Sequence, residues 1–209
     1  MKKLGLMMFL LALAVMLGGT ALAQGDLSSY FTTYYSANQA NAPDAALRII
    51  NDGVNGNMWA AIYVFDDSEE LTQCCACEIT PDGLLSESVK LNLTANPIRG
   101  IVNSRGVIKV IGSVAPPGPP PNGFPPVVGA INATDGLHVW MTHIQGTKVT
   151  LSAGAPVVPS VAGPFFVTET LAADSNLSGP EKLLIEDLCY FDYLLSGKPC
   201  SCQPEDFDF

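Results

Sequence analysis

The sequence predicts a mainly β protein: an antiparallel β-sandwich, Ig-like or jelly-roll-like, with one C-terminal helix pinned to it by disulfides. Three observations predict this. Short apolar runs recur between Asn, Asp, Gly and Pro turns over residues 46–171, a spacing typical of sandwiches and barrels. Only residues 178–195 show helical instead of alternating periodicity. The six cysteines fall into two tight groups, Cys74, Cys75 and Cys77 against Cys189, Cys200 and Cys202.

The elements follow in order. Residues 46–50 are apolar apart from Arg48 and end in Asn51-Asp52-Gly53, a strong turn signal. Residues 58–65 are aromatic and aliphatic and stop at Asp66-Asp67. The run 71–79 carries the first cysteine group and ends at Pro81-Asp82-Gly83, where proline and glycine supply turn geometry. Residues 84–93 alternate, with Leu85, Val89, Leu91 and Leu93 on odd positions, and predict one strand. Residues 107–114 are β-branched. Residues 137–144 and 148–152 flank Gln145-Gly146-Thr147 and read as a hairpin, and 165–171 completes the set. The proline-rich stretch 115–126 lacks the N–H donors of a central strand. It reads as a stiff extended connector, with docking into an aromatic groove as the alternative. In the helix, Ser178 and Glu181 fit a capping box, Pro180 sits in the first turn and Gly197 follows as a stop. Leu184, Leu188, Phe191 and Leu195 lie at helical spacing and predict a core-facing stripe.

Residues 1–23 read as a signal peptide. Lys2 and Lys3 form the basic start, an apolar run follows, and Ala21-Leu22-Ala23 gives the small-x-small cleavage site. The run is shorter than the ~20 residues of a spanning helix, so no membrane span is expected after cleavage. Residues 24–45 read as a polar leader and 46–209 as a single domain with a cysteine-rich tail. Export implies a secreted or periplasmic location. The 20 acidic residues outnumber the 10 basic ones, which repels phosphate backbones and disfavours nucleic acid.

Along an extended strand successive side chains face opposite ways, so Cys75 and Cys77 share one face and Cys74 takes the other. The same spacing relates Cys200 and Cys202 if the tail is extended. The geometry suggests Cys75 and Cys77 bonding to Cys200 and Cys202, with Cys74 left for Cys189, one of 15 possible pairings. An oxidising compartment favours disulfides. The alternatives are a thiolate metal site and thiol–disulfide exchange. Neither is well supported, because no histidine lies near either group and no βαβ setting surrounds a Cys-x-x-Cys.

His138 and His143 are the only histidines, and an odd separation in a strand puts them on opposite faces. Trp140 shares its face with His138 and Thr142, making these three the candidate ligand surface, whereas Trp59 sits in an apolar run and reads as core. The turn containing Asn51, Asp52, Asn55 and Asn57 loosely resembles a calcium loop without EF-hand spacing, and Asp66, Asp67, Glu69 and Glu70 form a second acidic turn. Both read as solvated hairpin turns. Asp206-Phe207-Asp208-Phe209 forms an acidic aromatic tail. No Gly-x-Ser-x-Gly or His-Glu-x-x-His occurs, so no catalytic residue is nominated and no cofactor or metal is expected.

Residues 47–89 (LRIINDG…MWAAIYVFDDSEELTQCCACEITPDGLLSESV), 140–145 (WMTHIQ) and the terminal helix with its Cys…Cys-x-Cys ending resemble a group of uncharacterised bacterial exported proteins with paired cysteine groups. The resemblance implies export and the paired cysteine groups, and carries no assigned activity. The expected function is a non-enzymatic structural, adhesion or binding module of the cell envelope or matrix, with an unknown extracellular partner or surface glycan. The alternatives are an exported hydrolase of polysaccharide or peptide, and a thiolate metal-binding protein.

Overall fold

Residues 29–36, 43–95, 103–120, 122–146, 165–196 and 199–202 are described by a computed structural model. Among them are nine strands: β1 Tyr30–Ser36, β2 Ala46–Asn51, β3 Met58–Asp66, β4 Leu71–Ile79, β5 Leu84–Ser88, β6 Arg105–Ser113, β7 Leu137–Gly146, β8 Phe165–Leu171 and β9 Ala173–Asp174. One helix, α1 (Gly179–Ser196), follows. The strands form a five-stranded sheet, order β4-β3-β6-β1-β9, and a four-stranded sheet, order β5-β2-β7-β8. Every pairing is antiparallel. The mainly β sandwich with its disulfide-linked helix is therefore what the sequence predicts.

Two cores flank the five-stranded sheet. Its inner face packs on the four-stranded sheet through Ile62, Val64 and Ile108 against Leu47, Val139 and Met141. Its outer face carries Tyr30, Tyr63, Cys74 and Ile111, covered by Ile185 and Cys189 of α1. A strand covered on both sides needs apolar residues at every position, and all nine residues of β3 are buried. Gly106 permits a close crossing: a Cβ there would stand 1.9 Å from the Phe65 carbonyl oxygen and 2.8 Å from the Tyr35 ring.

Two elements depart from expectation. Residues 30–36, assigned to the leader, form β1, which pairs with β6 along its whole length. The sandwich thus begins before residue 46. The predicted strand 84–93 ends at Ser88, where the chain winds into a π-helical turn, Val89–Leu93, whose Leu91 amide donates to the Ser88 hydroxyl. That turn leaves Leu91 exposed while burying Val89 and Leu93, so the odd-numbered pattern does not mark one sheet face. β7 pairs antiparallel with β2 on one side and with β8 on the other. Residues 148–152 of the expected hairpin, like the signal segment 1–23 and the 206–209 tail, lie outside the described residues.

The proline-rich connector folds back onto the outer face of the five-stranded sheet. Pro117, Gly118, Gly123 and Pro126 are buried, and Gly123 lies over Trp59 so closely that a Cβ would come 3.3 Å from its ring. Phe124 reaches Tyr193 of α1, ring centroids 6.3 Å apart. The segment is a packed connector over Trp59, which is core as expected.

Candidate functional site

All six cysteines are consumed in three bridges: Cys74–Cys189, Cys75–Cys200 and Cys77–Cys202, with Cα separations of 5.8, 5.1 and 5.3 Å. These distances fall in the ordinary disulfide range. Strand alternation sorts them as the spacing suggests. Cys75 and Cys77 point into the inter-sheet core and Cys74 into the layer under α1. The tail lies along the edge of β4: the Cys200 amide donates to the Cys74 carbonyl at 3.1 Å and the Ser201 amide to the Asn92 carbonyl at 3.4 Å. The sulfurs of Cys75, Cys77 and Cys202 lie within 4.8 Å of one another. They are two adjacent disulfides, and the thiolates that the metal alternative requires are absent from this oxidised state.

The expected ligand surface assembles on the outer face of the four-stranded sheet. His138 is exposed, Trp140 partly exposed and the Thr142 side chain nearly covered. The His138 and Trp140 rings lie 6.1 Å apart at 37°. Sequence reasoning missed two members of this patch. Arg48 of β2 sits opposite Trp140 and Glu169 of β8 opposite Thr142. The Arg48 guanidinium donates to the Thr142 hydroxyl at 2.8 Å and pairs with Glu169. Their charges cancel, so the patch is an aromatic ring beside planar polar groups without net charge. His143 turns inward, as the odd spacing requires, and stacks on Tyr34 at 3.9 Å with its Nε2 on the Thr170 hydroxyl at 2.6 Å. Burial holds its imidazole below the usual histidine pKa.

A second surface lies on α1, where the sequence expectation is overturned. Three of the four residues of the predicted core-facing stripe point outward, Leu184, Phe191 and Leu195 being 58, 58 and 74% exposed, and Leu188 alone packs against the core. The inward side carries Ile185, Glu186, Cys189 and Asp192. Covalent and polar contacts set this rotation. Cys189 is bonded to Cys74, and the buried Glu186 carboxylate accepts from the Gly129 and Ile131 amides at 2.7 and 3.2 Å. It also pairs with Lys182 at 3.0 Å. The Ser178 hydroxyl caps the helix by accepting from the Glu181 amide, but the Glu181 carboxylate leaves the capping box for Lys109, at 2.7 Å, and the Tyr30 hydroxyl, at 2.8 Å. Those two hydrogen bonds hold Glu181 below the usual carboxylate range. Burial opposes the Lys109 charge, yet Glu181 and Tyr30 outweigh it and leave its pKa raised. Two grooves of about 360 and 440 Å³ flank Leu188 between α1 and the sheet.

The acidic turns are organised internally. Asn51 donates to the Gly56 and Ile79 carbonyls, and Asp66 accepts from the Ser68 and Glu70 amides. Both behave as the hairpin turns expected. No described helix is long and apolar enough to cross a membrane. No family model, curated protein or solved structure matches the chain.

Proposed function

We propose that the chain is an exported, non-enzymatic module of the bacterial cell envelope or extracellular matrix, and that the outer face of its four-stranded sheet takes a surface glycan. One observation carries the reading: Trp140 stands partly exposed on the outer sheet face among His138, Thr142 and the charge-cancelled Arg48–Glu169 pair. A sugar ring stacks its apolar C–H face on an indole while its hydroxyls need planar donors and acceptors beside the ring. The Arg48–Glu169 pair supplies both without selecting for a charged sugar. The three bridges support export, because such bonds persist in oxidising compartments, and they hold helix and tail to the sandwich.

Two measurements test this. Expressed whole in a bacterium, the chain should appear outside the cytoplasm without residues 1–23 and with no titratable thiol. A cytoplasmic protein with free thiols would refute export. Native gels cast with a panel of neutral polysaccharides should retard the protein, and Trp140→Ala should abolish the retardation. Retardation by none of them, or unchanged retardation of the variant, would sink the glycan reading.

The hydrolase alternative rests on the smaller groove, which gathers Glu69, Glu70 and Asp192 beside Leu188. It predicts reducing sugar or peptide release that Glu70→Gln and Asp192→Asn abolish, and no release by the unmodified chain would dismiss it.

A further inference from the structure

The geometry points to the outward side of α1 as the face through which two copies of this chain pair, antiparallel about a two-fold axis. A surface helix normally turns its apolar stripe to the core and its charges to water. Here Leu183, Leu184, Tyr190, Phe191, Leu194 and Leu195 are 49, 58, 38, 58, 56 and 74% exposed, and Asp187 is the one charged side chain among them. Together these exposures equal more than three whole large side chains on one helix, a contiguous patch of the kind that marks an interaction site.

The pattern is that of a packing seam. Leu183 and Tyr190, and Leu184 and Phe191, each repeat at seven residues, the spacing that keeps a row facing a neighbouring helix. The grooves beside Leu188 leave room for side chains inserted from a partner.

The choice of occupant follows from charge and shape. Asp187 is the one charge within the exposed row, with Glu69 and Glu70 at the rim of the groove beside Leu188, so the centre of the face matches an apolar surface, and the chain's net charge of −10 repels an anionic membrane surface. A second copy presents the same apolar seam, and the seam is the stretch of helix on which two acidic chains meet with least repulsion. An antiparallel arrangement places each helix N-terminus beside the other's C-terminus, where the helix dipoles attract. It also centres the contact near residue 189, so Asp187 faces the partner's Phe191 instead of the partner's Asp187. Such a contact closes on itself and forms a dimer.

The test is sedimentation velocity of the oxidised, exported chain from about 1 to about 100 µM. A monomer–dimer equilibrium with a dissociation constant in the micromolar range is expected. Replacing Phe191 and Leu195 together by Asp should raise that constant roughly a hundredfold, the size of a hot-spot loss. Leu184→Glu, nearer the other end of the seam, should act in the same direction. Measured well below the dissociation constant, where the wild type is monomeric too, the melting temperature and the thiol count should stay at their wild-type values, because these side chains face water in the monomer. A wild-type chain that is monomeric throughout overturns the proposal, and flotation of that monomer with phosphatidylcholine vesicles would make the face a membrane contact. Variants that dimerise as tightly as wild type, or open-ended oligomers, overturn it as well.

Discussion

Removing the Cys74–Cys189 bridge by the double substitution Cys74→Ala/Cys189→Ala should destabilise the protein by about 3 kcal/mol, well short of what its sequence span implies. Taken alone, a bridge of separation 115 removes about 4.8 kcal/mol of loop-closure entropy from the unfolded chain. The bridge does not act alone. Cys75–Cys200 already closes the large loop, and once it is closed, Cys74 and Cys189 are separated only by the short stretches 74–75 and 189–200. That effective loop is roughly a dozen residues, worth about 2.8 kcal/mol. By the same reasoning Cys77–Cys202 closes only the pocket between 75–77 and 200–202, roughly four residues and about 1.9 kcal/mol. The assay is equilibrium urea unfolding of the oxidised wild type, Cys74→Ala/Cys189→Ala and Cys77→Ala/Cys202→Ala. All four substituted side chains shrink alike, so the packing losses largely cancel in the comparison. The first variant should lose about 1 kcal/mol more than the second, and neither should lose 5. A loss of 5 kcal/mol or more from either, or the reverse order, would refute the nested-loop account.

Two further perturbations read the polar contacts that hold α1. Glu181 has a lowered pKa in the folded state, so its contribution is complete above the ordinary carboxylate pKa of 4.5 and is lost as pH falls through the depressed folded value. Lys109, with its pKa raised above 10.5, contributes fully below that pH and loses its contribution as pH rises through the folded value. Melting temperature should therefore hold between these limits and fall beyond each. Glu181→Gln should cost about 0.5–1 kcal/mol near neutral pH, because the pair is partly solvent-screened, and should flatten the acid-side fall. An acid limb identical to wild type would contradict it. Glu186→Ala should cost about 3 kcal/mol by urea unfolding, since it strips the Gly129 and Ile131 amides of their acceptor in a covered site. A change below 0.5 kcal/mol, of the size typical at open surface positions, would show that water replaces it.

Much of this architecture is legible from residue type and spacing, and where it is not, a physical reason can be given. The limits of β4 and the division of its cysteines between two faces follow from the two-residue period of a strand, and the pairing that this division suggested is the one formed. Trp140, His138 and Thr142 share a face for the same reason. Arg48 and Glu169 were hidden because they join the patch only through pairing with β7, and register between distant strands leaves no local mark. The strand β1 escaped notice because Tyr30, Thr32 and Thr33 look polar, while its Tyr30, Phe31 and Tyr35 side chains are nonetheless buried. Periodicity locates an apolar stripe on α1 but does not say which way the stripe faces.

That rotation ties the bridge to the surface it exposes. Leu184 and Phe191 lie far round the helix from Cys189, Phe191 by about 160°, so no single rotation can bury the leucine row and keep Cys189 within bonding reach of Cys74. Burial would reward the inverted rotation with about 1.5–3 kcal/mol for each large side chain covered. Against it stand the covalent bond and the two amides held by Glu186. The bridge therefore does more than restrict the unfolded chain: it keeps an apolar row in water that packing alone would draw inward. It follows that Cys74→Ala/Cys189→Ala should weaken self-association although every residue of the seam is intact, because its helix is free to roll the row onto the sheet. Amide hydrogen exchange across 179–196 should change in the same variant. A variant that dimerises with wild-type affinity would show that Glu186 and Lys109 suffice to set the rotation, and that the bridge contributes stability alone.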